Sequence, residues 1–194
     1  MSLSVCIYCA SSNSLPSVYY QEAEKVAKVL IAADIHVKFG GGNSGLMGKI
    51  ADTYIEQKID NIKGIIPAFM HEEGWHHARL KHLTITESMH ERKQQMIEDV
   101  DAAIALPGGV GTLEEVLEVI TWKQLGIFLK PIILVNTNGY FDKLVALLEH
   151  ATNENFMRKE HLQLFTVVNH VDNILESITS STVYDVSIRK IAQI

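Results

Sequence analysis

Long hydrophobic runs are missing from this sequence of 194 residues. No apolar stretch approaches the roughly 18 residues that a membrane-spanning helix needs. The first residues also lack the basic segment and apolar core of a signal peptide. We therefore expect a cytoplasmic protein that is not embedded in a membrane.

Basic residues are fewer than acidic ones. Lysine and arginine number 17 against 23 aspartates and glutamates, which gives a formal net charge of −6 and a pI near 5.8. Nucleic acids and anionic membrane surfaces require a basic surface, so the acidic balance argues against both kinds of partner. A small phosphorylated ligand is not excluded, because it needs only a local cradle of N–H groups and one or two cations.

Cysteine is scarce, with two residues that form a C-x-x-C motif inside the first predicted strand, Cys6 and Cys9. A redox motif of this kind is expected at a helix N-terminus. Residues three apart on a strand point to opposite faces. The sequence therefore predicts ordinary buried thiols rather than a disulfide or a zinc site.

What the chain does contain is an alternation of strand and helix patterns from one end to the other. The predicted strands lie at 5–9, 35–39, 62–66, 82–86, 101–106, 131–135 and 164–168. The predicted helices lie at 16–33, 44–57, 88–100, 112–125, 140–150 and 171–178. Repeated β-α units with apolar strands predict an α/β fold, a parallel sheet with helices on both faces. No linker or repeat divides the chain, so we expect a single domain over 1–194, with 179–194 able to form a C-terminal tail.

A first glycine-rich loop, Gly40–Gly45, matches G-x-G-x-x-G between a strand and a helix. Such loops bring backbone N–H groups against a phosphate at a helix N-terminus. A dinucleotide site would also need an acidic residue at the end of the next strand, but that strand ends Ile65-Ile66-Pro67. A phosphate-binding loop and a tight turn with close helix–strand packing both remain open.

The second loop, Pro107–Thr112, again joins a strand to a helix. It lacks the lysine of a P-loop, which disfavours hydrolysis of nucleoside triphosphates. A compact nest of N–H groups with the Thr112 hydroxyl suits one phosphate monoester. Glu115 follows on a different helix face from the apolar positions, which by their helical spacing should face the sheet and are Leu113, Val116, Leu117 and Ile120. It either complements the helix dipole or, beside a phosphosugar, stabilises a cationic sugar and activates water.

The helix that begins at Ser88 carries Met89, Arg92, Lys93 and Met96 on one face. Either the stems pack on a neighbouring element with the charged heads in water, or the face is an anion clamp with apolar contacts for a base. Histidines in the segment 68–81 do not match H-E-x-x-H, so no metal site is predicted. We interpret that segment as a loop or short irregular helix that forms a lid or base-pocket wall.

Together these motifs resemble the Lonely Guy (LOG) family of cytokinin-activating phosphoribohydrolases, a group often labelled lysine decarboxylases. Four stretches carry the resemblance, which covers about residues 4–178. The family's P-G-G-x-G-T-x-x-E, M-H-x-R-K and G-G-G-x-x-G-L-M-G match Pro107–Glu115, Met89–Lys93 and Gly40–Gly48, and a further stretch matches Thr121–Gly126. A departure is Cys9-Ala10-Ser11-Ser12, where the family often has Cys-Gly-Ser-Ser.

The resemblance implies a Rossmann-like domain, usually a homodimer, that hydrolyses AMP or N6-prenylated AMP to a free base and ribose 5-phosphate without a metal or organic cofactor. It implies Arg92 and Glu115 as the catalytic pair. The predicted substrate-binding residues are Met89, Lys93, Gly108, Gly109, Val110, Gly111, Thr112, Gly41, Gly42 and Ser12. The alternative from another class is a nucleotide-binding carrier or sensor without chemistry. The decarboxylase label would require a lysine for a pyridoxal phosphate Schiff base, which the signature does not supply.

Overall fold

A seven-stranded parallel sheet forms the centre of the molecule in the computed structural model, which describes residues 2–179 and Ile188. The strands are β1 (Ser4–Tyr8), β2 (His36–Phe39), β3 (Ile62–Pro67), β4 (Leu83–Thr86), β5 (Ala102–Ala105), β6 (Ile132–Val135) and β7 (Thr166–Val168). The helices are α1 (Ser17–Ala32), α2 (Gly45–Glu56), α3 (Ala68–Glu72), α4 (Met89–Ile97), α5 (Val110–Gln124), α6 (Asp142–Asn153) and α7 (Ile174–Thr179). The order across the sheet is β4-β3-β2-β1-β5-β6-β7.

Both faces of the sheet are covered by helices. One apolar cluster joins the sheet to α1, α2 and α7, and a second joins it to α4, α5 and α6. Every residue of β5 and β6 is buried, which is why these strands are continuous apolar runs rather than alternating ones. The predicted α/β fold with helices on both faces is confirmed.

The two cysteines point to opposite sides of the sheet. Cys6 lies in the cluster under α4, α5 and α6, and Cys9 lies in the cluster under α1, α2 and α7. Both are free thiols, and burial raises the pKa of each well above its ordinary value. This placement agrees with the interpretation as buried thiols.

The strand order creates a crevice at the carboxyl ends of the central strands. From β1 the chain proceeds outward to β4, and it then returns to place β5 on the other side of β1. Connections therefore diverge between the carboxyl ends of β1 and β5, where open α/β sheets bind ligands. The loops after these strands touch, because Ala10 N donates to Pro107 O at 3.2 Å.

Several boundaries differ from the predicted ones. The helix predicted over 88–100 ends at Ile97, because Glu98 is extended and Asp99 has a φ of 52°. Helix α5 begins at Val110, two residues before its predicted start. Within 68–81 only the first turn is helical, as α3.

The predicted tail, 179–194, lies outside the described residues apart from two positions. Thr179 ends α7, and Ile188 is buried in the cluster under α4, α5 and α6. Over the part of the chain that the structure describes, no helix has both the length and the apolar character to cross a bilayer.

Candidate active site

A cavity of about 600 Å³ opens above the carboxyl ends of β1, β2 and β5. Its walls come from the loops after these three strands, the exposed faces of α4 and α5, and the segment after β3. The described lining residues are Ile7, Tyr8, Cys9, Ala10, Ser11, Gly40, Gly42, Asn43, Ser44, Met47, Ile66, Met70, Trp75, Met89, Arg92, Met96, Gly109, Val110, Gly111, Thr112, Glu114 and Glu115.

Helix α4 places Arg92 at the bottom of the cavity. Its start is capped, since Ser88 Oγ accepts the N–H of Glu91 at 3.2 Å, and the Glu91 carboxylate accepts the N–H of Glu87 at 2.8 Å. One turn later Arg92 is 7% exposed. Its Nε donates to the carbonyl of Ile65 in β3 at 3.2 Å, which fixes the plane of the guanidinium.

Arg92 forms an ion pair with Glu115 of α5. Nη1 of the arginine lies 2.7 Å from Oε1 of the glutamate, and the two side chains are 9% and 11% exposed. A charge-assisted hydrogen bond in so little water holds both groups in place. Glu115 retains a second carboxylate oxygen that this bond does not use.

Burial dominates the electrostatics of Glu115. Loss of solvation raises the pKa of its carboxyl, the Arg92 charge offsets part of that rise, and the neighbouring Glu114 adds to it. A carboxylate whose pKa is moved toward neutrality is a better general base than an ordinary surface glutamate.

The start of α5 lines another part of the cavity wall and has the features of a candidate anion site. The first N–H groups of a helix have no intrahelical acceptors, and the helix dipole favours negative charge there. Gly109, Val110, Gly111 and Thr112 all line the cavity at this point. A Cβ built on Gly109 or Gly111 would meet nothing within 4 Å, so the space in front of these backbone groups is open.

Two glycines of the first loop, Gly40 and Gly45, are closely packed against protein atoms. A Cβ on Gly40 would collide with the Arg92 guanidinium, and a Cβ on Gly45 would lie 2.6 Å from the backbone of Ser11 and Ser12. Gly45 also has a positive φ of 60°, which favours glycine. This packing agrees with a tight turn and leaves space for the Arg92 side chain. The same loop lines the cavity with Gly42 and Ser44, so a contact with phosphate stays a prediction.

The structure brings eight of the predicted site residues together around the cavity: Met89, Arg92, Glu115, Gly42, Gly109, Val110, Gly111 and Thr112. Four others, Ser12, Gly41, Gly108 and Lys93, do not line it. Lys93 Nζ instead donates to Oε1 of Glu114 at 2.5 Å and Oε1 of Glu118 at 2.9 Å. Its side chain is 13% exposed. The interpretation in which the charged heads of Arg92 and Lys93 lie in water is therefore wrong.

A segment that we call the strap, residues 68–77, closes one side of the cavity with Met70 and Trp75. It is fastened to the first glycine loop by backbone hydrogen bonds, from Asn43 N to Trp75 O at 3.1 Å and from His77 N to Gly41 O at 2.8 Å. The sequence indicated this segment as a lid or wall but did not single out these two side chains. Large apolar residues in a loop of irregular pattern were the available signal.

Histidines of the strap contact each other rather than forming a metal site. The rings of His71 and His76 stack with centroids 4.3 Å apart. Among residues 2–179 and Ile188, no group of three or more His, Cys, Asp and Glu side chains is placed to hold a metal ion.

Sequence comparisons identify relatives over most of the chain. A family model described as "Possible lysine decarboxylase" matches residues 47–178. A protein of Oryza sativa subsp. japonica, named a probable cytokinin riboside 5′-monophosphate phosphoribohydrolase, is 39% identical over 161 residues, which are 83% of this chain and 70% of the relative. An Arabidopsis thaliana protein named a cytokinin riboside 5′-monophosphate phosphoribohydrolase is 34% identical over 172 residues, 89% of this chain and 80% of its own.

Solved structures with the same fold include two molybdenum cofactor proteins. The carrier protein of Chlamydomonas reinhardtii superimposes with a TM-score of 0.68 at 15% identity, covering 92% of this chain and 98% of its own. The binding protein of Rippkaea orientalis gives 0.67 at 17% identity, covering 93% and 97%. At such low identity these likenesses show the Rossmann-like fold and nothing about the ligand.

Proposed function

The chain belongs to the LOG family of phosphoribohydrolases, and from that premise we propose that it hydrolyses the N-glycosidic bond of a nucleoside 5′-monophosphate. The products are a free base and ribose 5-phosphate. The substrates we expect are AMP and N6-prenylated AMP, in line with the names of the relatives. The observation that carries the proposal is the buried Arg92–Glu115 pair at 2.7 Å, which faces the same cavity as the anion site of α5.

In this proposal the 5′-phosphate binds at the start of α5. The N–H groups of Gly109 to Thr112 and the Thr112 hydroxyl surround it, with no cation required beyond the helix dipole. Glu115 lies three residues beyond Thr112, about 4.5 Å further along the helix axis. Binding energy from the phosphate thereby places the sugar C1′ beside the carboxylate.

Glu115 then acts on the reacting centre. Its negative charge stabilises the oxocarbenium-like sugar that forms as the C1′–N bond breaks. Its free oxygen accepts one proton from the attacking water, whose oxygen bonds to C1′. The departing base takes up one proton from solvent, and Glu115 returns its proton to solvent, so the net reaction consumes one water. Arg92 keeps Glu115 ionised and oriented despite burial.

Two further candidate functions fit the site less well. Decarboxylation of lysine would use a pyridoxal phosphate Schiff base on a lysine side chain, and among the described residues that line the cavity there is no lysine. A carrier without chemistry would need the anion site, but it would not need a buried carboxylate of raised pKa paired to an arginine beside it.

The test is release of base from AMP and from isopentenyladenosine monophosphate by purified protein, with Glu115→Gln measured in parallel. We expect turnover by the wild type and a loss of about 100-fold or more in the variant, with AMP binding retained. A wild type that binds AMP and releases no base from either nucleotide would favour the carrier. Undiminished turnover by Glu115→Gln would remove that residue from the mechanism.

We further propose that the protein acts as a cytoplasmic homodimer. Leu117, Leu125 and Ile127 on and after α5 are 40%, 45% and 64% exposed. Of these, Ile127 lines a groove between α4 and α5 together with Ile97, Trp122 and Phe128. Apolar exposure of this kind is typical of an interface, and two free buried thiols suit a reducing compartment.

Light scattering after size-exclusion chromatography tests the dimer. Ile127→Asp should shift the mass from two chains toward one, whereas Leu147→Asp, which is 61% exposed on α6, should leave it unchanged. A wild-type mass of one chain would contradict the proposal.

A further inference from the structure

Tyr140, which lies outside the sequence motifs, contacts the second glycine loop through its hydroxyl. The hydroxyl of Tyr140 donates a hydrogen bond to the carbonyl oxygen of Gly108. Tyr140 comes from the connection between β6 and α6, 32 positions along the chain from the glycine. Gly108 has no room on its other side, because a Cβ there would collide with the Thr112 side chain.

The support behind Tyr140 is rigid. Asn136, 7% exposed, accepts the N–H of Phe141 at 2.8 Å and donates to Asp142 Oδ1 at 2.8 Å and Asn169 Oδ1 at 3.0 Å. The ring of Tyr140 also packs edge-on against Tyr19, with centroids 6.2 Å apart. These contacts hold the backbone beside Tyr140 and one edge of its ring without a ligand, while the residue is 38% exposed.

The bond to Gly108 controls the direction of a neighbouring donor. The carbonyl of Gly108 and the N–H of Gly109 belong to one planar trans peptide and point in opposite directions. A peptide flanked by two glycines has little steric resistance to rotation. By holding the carbonyl on its own side, Tyr140 turns the N–H of Gly109 away from itself, and Gly109 lines the cavity.

We propose that Tyr140 is a positioning residue for the anion site, one that sets the orientation of the Gly108–Gly109 peptide before phosphate arrives. Preorganised donors bind and stabilise charge without the cost of reorienting. The inference rests on the proposed function only in naming the ligand as a nucleoside monophosphate, since the same peptide would serve any phosphate monoester.

The test is Tyr140→Phe, which removes the hydroxyl and keeps the ring. We expect the Kd values of inorganic phosphate and of AMP, measured by calorimetry, to rise about five- to tenfold, as for loss of one hydrogen bond. The Kd of adenosine, which has no phosphate, should stay within twofold. In turnover assays the change should fall mainly on KM rather than kcat.

Tyr54→Phe is the matched control. Its phenol also donates to a backbone carbonyl, that of Ile35 at 3.4 Å, but Tyr54 is buried under the sheet away from the cavity. This variant should bind phosphate, AMP and adenosine as the wild type does.

Unchanged phosphate and AMP binding in Tyr140→Phe would overturn the inference, and so would equal weakening of AMP and adenosine, which would indicate a general disturbance. Failure of the wild type to bind either phosphate or AMP would also overturn it. If the wild type binds AMP but releases no base, the proposed function fails while the comparison of Kd values still decides the role of Tyr140.

Discussion

Arg92 Nη1 and Glu115 Oε1 lie 2.7 Å apart, joining α4 to α5 above the point where the strand order reverses. The arginine also donates a hydrogen bond from Nε to the carbonyl of Ile65 in β3. Because both partners are buried, removal of one would leave the other as an unpaired buried charge. The pair therefore links the ionisation of the carboxylate to the packing of two helices.

Activity should fall in acid at a higher pH than for an ordinary glutamate. The proposed mechanism needs Glu115 ionised, and burial raises the pKa of its carboxyl above the usual value of about 4.3. As pH decreases through this raised pKa the carboxylate is protonated, so kcat/KM is lost on the acid side. The measurement is a pH profile of kcat/KM for AMP.

Two substitutions of Arg92 test whether the acid side of the profile reports the pKa of Glu115. The Arg92 charge lowers the pKa of Glu115. Loss of that charge in Arg92→Gln should therefore move the acid limb, the part of the kcat/KM profile that falls as pH decreases, to still higher pH. Arg92→Lys keeps a cation and should move the limb less, although it loses the planar fork. An acid limb at the same pH in all three proteins would mean that it reports another group.

Gly40→Ala should impair catalysis without unfolding the protein. The added Cβ would meet the guanidinium of Arg92 and lie 3.0 Å from Met47 Sδ, so the arginine must move away from Glu115. A displacement of this kind costs about 100-fold in kcat/KM. Far-ultraviolet circular dichroism should remain that of the wild type.

Gly126→Ala is the control for that experiment. Gly126 has a positive φ of 68° after α5, so alanine there is strained and should cost about 1 kcal/mol of stability. It does not line the cavity, so kcat/KM should be kept. If the two variants lose activity in proportion to stability, the steric argument for Gly40 is refuted.

The sequence was sufficient to predict the order of strands and helices, because two-sided burial produces unbroken apolar strands such as β5 and β6. The motifs also placed Arg92 and Glu115 on separate helices, and the structure shows that the two side chains meet. Local signals were less informative about boundaries, since the end of α4 depends on a positive φ at Asp99.

Side-chain partners could not be predicted from the sequence. The apolar spacing suggested that Leu113, Val116, Leu117 and Ile120 face the sheet, yet Leu117 is 40% exposed and Val119 is buried. Tyr140 and Trp75 reach the site from distant parts of the chain, and no spacing rule connects them with the glycine loops. Such contacts depend on strand order and on loop paths, which short motifs do not encode.

Lys93 provides a case in which the motif and the structure suggest different roles. Its ammonium bridges two glutamates of α5, and although burial acts to lower the pKa of Lys93, the hydrogen bonds to Glu114 and Glu118 raise it. We expect Lys93→Met to lower the melting temperature by about 2–4 °C, for a loss of about 1 kcal/mol. Because α4 and α5 carry the proposed catalytic pair, kcat should decrease more than KM increases.

Glu118→Gln tests whether that effect acts through the bridge. It removes one of the two charges around Lys93, and it should produce a smaller change in the same direction. A large increase in KM for Lys93→Met at unchanged stability would instead assign the lysine to the substrate, as the family motif implies.

Several apolar side chains line the cavity: Met47, Met70, Met89, Met96 and Trp75. Methionines adapt to irregular shapes and favour apolar groups. Trp75 lines the cavity and is 51% exposed on the strap, and we propose that it contacts the base.

Trp75→Ala should therefore change the preference among bases and leave phosphosugar recognition intact. We expect kcat/KM to fall about tenfold for isopentenyladenosine monophosphate and less for AMP, because the lost apolar contact area is greater for the prenylated base. Inhibition by ribose 5-phosphate should be unchanged, since that product contacts only the α5 side. Phe69→Ala is the matched control, because Phe69 is 50% exposed on the same strap but does not line the cavity. Equal losses for both nucleotides in Trp75→Ala, or the same losses in Phe69→Ala, would show that the strap affects activity through its folding rather than through contact with the base.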